Sequence, residues 1–99
     1  MPNGEEDRLY RIVSYRFDNT IANLIPKFND DFVYECEDHV YGKDTYRTIW
    51  SKTLPTYVKF GSADLSQDKA DSLLSIGYCR FNEVTDFSNM FKDCKNLFI

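Results

Sequence analysis

The sequence predicts a small α+β domain: a mainly antiparallel sheet of about four short strands with one C-terminal helix. Three observations predict it. Period-two alternation recurs through residues 8–60, an apolar stripe at helical spacing occupies the last quarter, and 99 residues make one domain. So short a chain buries only a thin core. Its aromatic residues, 16% of the chain and nearly all Tyr or Phe, compensate because each buries a large area.

Residues 1–7 are polar and acidic and read as a flexible tail; residues 8–60 form the β-rich part. From Arg8 to Phe17, Leu9, Val13, Tyr15 and Phe17 share one face and Arg8, Ser14 and Arg16 the other. That predicts a strand, with Arg11 and Ile12 breaking the alternation. Asn19 or Thr20 is placed to cap a short helical turn over Ile21 to Ile25, which Pro26 ends. Asp31 to Glu37 alternates more cleanly, with Phe32, Tyr34 and Cys36 inward and Asp31, Glu35 and Glu37 outward. His39 to Asp44, around Gly42, is the expected turn, and Thr45 to Thr53 the returning strand of a hairpin. Pro55 ends that strand and Thr56 to Phe60 forms another.

In the connector, residues 61–72, Leu65, Ser66 and Ala70 suit the N′, N-cap and N4 positions of a short helix. Leu73, Leu74 and Ile76 then predict a strand. Val84, Phe87, Met90, Phe91 and Cys94 follow at helical spacing, with Asp86, Asn89, Lys92 and Asp93 outside the stripe. A charge placed at Phe87 is therefore expected to unfold the domain.

Residues 73–99 also resemble one unit of the BspA-like leucine-rich repeats, found in surface proteins of low-GC bacteria and mycoplasmas. The resemblance rests on Val84-Thr85-Asp86-Phe87-Ser88-Asn89-Met90-Phe91, followed by Cys94 and Leu97. Ile25-Pro26 and Leu54-Pro55-Thr56 are more loosely similar to the non-repeat region that precedes such arrays. The resemblance implies a strand at Leu74 and Ile76. It also implies a packing ladder of Phe81, Val84, Phe87, Phe91, Cys94 and Leu97, all core residues, and a function in protein binding. One repeat cannot bury its own face, and the sequence ends at Leu97-Phe98-Ile99, where a second strand is due. Three explanations stay open: a fragment of a longer protein, one unit built into a globule, or an open end covered by another chain, a second copy included. Phe98 and Ile99 are accordingly expected in a core or an interface.

Chemistry is sparse. His39 is the one histidine and reads as an exposed turn residue, not the partner of Cys36 in a dyad. A zinc set of Cys36, His39, Cys79 and Cys94 has C-x2-H and C-x14-C spacing, off the usual knuckle form. Glu35 and Glu37 lie about 7 Å apart on one strand face, but no cleft is predicted around them. No phosphate-binding glycine loop, nucleophile elbow or calcium loop occurs. The expectation is a non-enzymatic protein with no cofactor and no metal.

The net charge of −4 argues against direct nucleic-acid binding. Residues 30–44 carry −5, while residues 45–60 carry Arg47, Lys52 and Lys59 and no acid. A hairpin with cross-strand charge pairs explains that arrangement; so does an acidic patch that steers a partner. Asp30, Asp31, Glu35, Glu37 and Asp38 are the candidate patch. Two functions follow: a protein-interaction module related to the BspA-like repeats, or an intracellular inhibitor of the kind phages and mobile elements direct against host defence nucleases. Three cysteines and a polar N-terminus without an apolar core predict a reducing, cytoplasmic location and no membrane segment, or the cell surface for a fragment of a repeat protein.

Overall fold

A computed structural model describes residues 8–98. Six strands and one helix follow in the order β1 Tyr10–Asp18, β2 Lys27–Phe28, β3 Glu35–Tyr41, β4 Asp44–Ser51, β5 Val58–Lys59, α1 Gln67–Ser72 and β6 Leu73–Cys79. Four form an antiparallel sheet in the order β3-β4-β1-β6, and β2 pairs with β5 in a second, two-stranded sheet. The α+β class and the mainly antiparallel four-stranded sheet are as expected from the sequence.

Strand β1 shows why Ile12 broke the alternation. The register with β4 slips between Arg11 and Val13, a β-bulge that turns both Ile12 and Val13 inward. Tyr15 and Phe17 continue the inner face, joined by Ile49 of β4. One core cluster links these to Leu24, Phe28, Val58, Phe60, Val84 and Met90. Tyr15 meets Phe60 edge to face at 5.3 Å, tying the sheet to the layer that covers it.

The hairpin is tighter than expected. Tyr41 pairs with Asp44, leaving a two-residue loop of Gly42 and Lys43. Gly42 has φ 62°, the backbone that a type II′ hairpin asks of its first loop residue. His39 consequently lies within β3, opposite Tyr46, and not in a turn. The aromatic alternation of residues 32–34 precedes the strand. Phe28, Phe32 and Tyr34 instead form a ring cluster with centroids 4.7–5.7 Å apart. The helical turn expected over residues 21–25 is an ordinary turn: Asp18, not Asn19 or Thr20, accepts from the Thr20 backbone N–H at 2.9 Å.

Helix α1 begins where Ser66 predicts it, the hydroxyl accepting the Lys69 N–H at 3.4 Å, with Ala70 buried. It is the one helix among the described residues. The helix expected over residues 84–94 is replaced by successive turns. Met90, Lys92, Cys94 and Leu97 N–H groups each bond the carbonyl three residues back. Asn89 and Asp93 both have φ 59°, which no α-helix accommodates. Three contacts impose this path. The buried Lys59 ammonium takes the carbonyls of Asp86 (3.0 Å) and Ser88, so these are turned toward Lys59 and away from a helical ladder. Phe60 and Ser62 N–H groups take the carbonyls of Met90 and Lys92 at 2.8 and 2.9 Å. At Gly61 a side chain would strike the Lys92 backbone, its Cβ 2.6 Å from the carbonyl oxygen.

The repeat-like ladder is corrected accordingly. Val84 is buried and Phe81, Cys94 and Leu97 pack partly against the core. Phe87 and Phe91, by contrast, are 55% and 38% exposed. Phe87 is not a core residue, because the turns point it away from the sheet.

Candidate functional site

Strand alternation takes Asp38 out of the candidate patch of five carboxylates. Asp38 turns to the inner side of β3 and binds Arg47 through both oxygens, at 2.7 and 2.8 Å. Arg47 also donates to Asn23 Oδ1 (2.7 Å) and the Leu24 carbonyl (3.0 Å), and lies over the Phe17 ring. A buried guanidinium requires such a set of partners. Hydrogen bonding to Arg47 holds the Asp38 carboxyl below the usual carboxylate range and raises Arg47 above the usual arginine value. Tyr15 belongs to the same network: its hydroxyl donates to the Leu24 carbonyl at 2.6 Å, and burial raises its pKa.

Glu35 and Glu37 face the other side. Glu37 accepts from the Trp50 indole at 3.0 Å and lies 3.2 Å from the His39 ring. Asp31 and Glu35 line a depression of about 400 Å³ with Val33, Tyr34 and Trp50. Asp30 pairs with Lys27 at 3.7 Å in solvent, an arrangement of little energetic weight.

Phe98 belongs to the opposite edge of the sheet, and Ile99 lies outside the described residues, as do residues 1–7. Phe98 is 65% exposed, so of the two positions expected for it the core is excluded. Beside it an apolar groove of about 420 Å³ runs along β6, lined by Ile76, Phe81, Phe87, Met90, Phe91 and Leu97 among others. Phe91 is held by stacking on Phe60, 5.7 Å between centroids. The Phe98 N–H donates to the Leu74 carbonyl at 2.7 Å, and Asn96 Nδ2 donates to the Asp71 carbonyl at 2.9 Å. The backbone at Phe98 therefore meets the edge of β6 at Leu74.

Cys36 and His39 lie on β3 and Cys79 on β6, with two strands between them, so the four residues of the zinc reading are not brought together. Cys94 lies under the core, its thiol 3.7 Å from the Phe60 carbonyl and pushed up to about 11 by burial. Among the described residues no helix is long and apolar enough to cross a membrane. No protein-family model matches the chain, and no curated protein or solved structure shows significant similarity to it.

Sequence reasoning missed Lys59 and Arg47 as organising residues. Both are cations in strand-like sequence, and only the tertiary partners make them central. Exposed Phe87 and Phe91 were missed because their spacing matches a buried helical stripe.

Proposed function

We propose that the chain is a non-enzymatic protein-interaction module, and that its binding surface is the groove beside β6. The observation that carries this is the groove itself: an apolar trough flanked by exposed Phe87 and Phe98 along a strand edge. Solvated domains seldom leave such a surface unless it meets a partner. The occupant is an extended apolar segment of a partner protein, laid along the β6 edge that the Phe98 N–H meets at Leu74. The relation to BspA-like repeats is part of this reading. A strand and a turn-rich return succeed one another, with 23 residues between the hydrogen-bonded Leu74 and Phe98. It places the protein at the cell surface as part of a repeat protein, or in the cytoplasm on its own.

The nuclease-inhibitor reading has a different surface. Glu35 and Glu37 share the outer side of an exposed edge strand, where they could oppose a basic channel. One experiment separates the two. Affinity capture is run with the wild type, with Phe87→Asp plus Phe98→Asp, and with Glu35→Lys plus Glu37→Lys. The groove reading requires one stoichiometric partner that survives the lysine changes and is lost with the aspartates. Loss with the lysine changes alone establishes the acidic reading, and equal capture by all three discards both. A second copy as partner appears as a dimer that only the aspartates dissociate.

A further inference from the structure

The outer face of the sheet carries a second surface, separate from the β6 groove. On the central strand, Arg11, Ser14 and Arg16 turn outward. Ser14 shares a hydrogen bond with Thr48 at 3.0 Å, and Arg11 donates to Ser14 at 3.2 Å while its guanidinium lies 4.4 Å over the Tyr78 ring. A cleft of about 220 Å³ opens between Arg11, Ser14, Arg16, Tyr46, Thr48 and Ser75, with no acid in its lining.

The two arginines nearest the middle of the sheet contrast sharply. Arg47 on the inner face has close partners for its donors, Asp38 above all. Arg16, only 28% exposed, makes one contact, Nη1 to Asp44 Oδ2, at 3.4 Å, and its buried Nε has no partner among the described residues. That contact is long for a charge-assisted hydrogen bond. A half-buried guanidinium so poorly supplied with acceptors favours an oxyanion.

We propose that this cleft binds a carboxylate, the side chain of an Asp or Glu on a protein partner, between Arg11 and Arg16. The charge selects it. Arg47, also in the lining, is neutralised by Asp38, so Arg11 and Arg16 against the neighbouring Asp44 leave a net charge of +1, which matches a carboxylate and not a phosphate dianion. Arg47 and Asp38 show the same pairing within this sheet.

The test is an NMR titration of the 15N-labelled chain with acetyl-glutamate-N-methylamide, its neutral glutamine counterpart and inorganic phosphate, at constant ionic strength. The carboxylate compound should produce saturable shifts of the Arg11 and Arg16 Nε–H signals and of the Ser14, Thr48 and Ser75 amides; the glutamine compound should produce none. Arg16→Lys, which keeps the charge but loses the fork, should weaken binding about tenfold or more. Arg11→Gln, at an exposed position, should weaken it as well, and serves if the Arg16 variant does not fold. No saturable shift at either arginine, equal response to the glutamine compound, or tighter binding of phosphate overturns the proposal.

Discussion

Strands β3 and β6 are the two edges of one sheet, and they meet solvent in opposite ways. β3 is exposed along its whole length and carries Glu35, Glu37, Asp38 and His39. Charges on an edge discourage a foreign strand, because pairing would take them out of water. β6 carries no charged residue from Leu73 to Cys79 and has an apolar groove at its side. The means of attachment differ too. Inner-face anchoring of β3 comes from the Asp38–Arg47 ion pair, whereas β6 is anchored by buried Leu73 and the turns packed beneath it through Val84 and Met90. One edge is held by charge and protected by it; the other is held by burial and carries no charge.

The largest effect should come from emptying the core on the β6 side. Met90→Ala is expected to cost about 2–5 kcal/mol in denaturant unfolding, the range for a buried large-to-small change. Phe87→Ala, three residues away and 55% exposed, should stay within about 1 kcal/mol of the wild type. Equal losses at both positions would restore the helical stripe and remove the groove.

Next comes the ammonium that organises the turns. Lys59→Met leaves the carbonyls of Asp86 and Ser88 without their donor, at a cost of about 1–3 kcal/mol. Hydrogen exchange should then rise first in residues 86–92 and leave β3 unchanged. Faster exchange in β3 would mean that the two edges are not independently anchored.

The smallest effect tests the charge-held edge. Asp38 has a folded pKa below its unfolded value. The stability it contributes is therefore complete above the ordinary Asp value of about 4 and is lost as pH falls through the lower, folded value. Acidification below about pH 4 should thus loosen β3 amides before those of β6, a strand with no carboxylate. Asp38→Asn should remove this pH dependence of β3 protection and cost about 1 kcal/mol at neutral pH, the carboxylate being partly solvated. Simultaneous loosening of both edges would show that the ion pair does not distinguish them.

Much of this architecture was legible in the sequence, and the failures have physical causes. Alternation located β1, Gly42 located the hairpin, and Ser66 located α1, because each feature depends on neighbours in the chain. The first strand of the hairpin lies four residues later than its alternation suggests, since Phe32 and Tyr34 alternate like a strand while packing as a ring cluster with Phe28. The acidic candidates were visible as composition, but whether a carboxylate is free or neutralised depends on its strand face. Asp38 is tied to Arg47 while Glu35 and Glu37 face outward.

The segment at 84–94 marks the boundary between the two kinds of information. Local sequence determined that Val84, Phe87, Met90 and Phe91 lie at helical spacing, and helix and turns can both use that pattern. Tertiary structure decided between them. Lys59, about thirty residues away, captures the carbonyls a helix would need, and Gly61 lets the Lys92 backbone come too close for any side chain. Periodicity reports which residues are apolar, but the partner of each backbone carbonyl is set by whatever donor the fold brings to it.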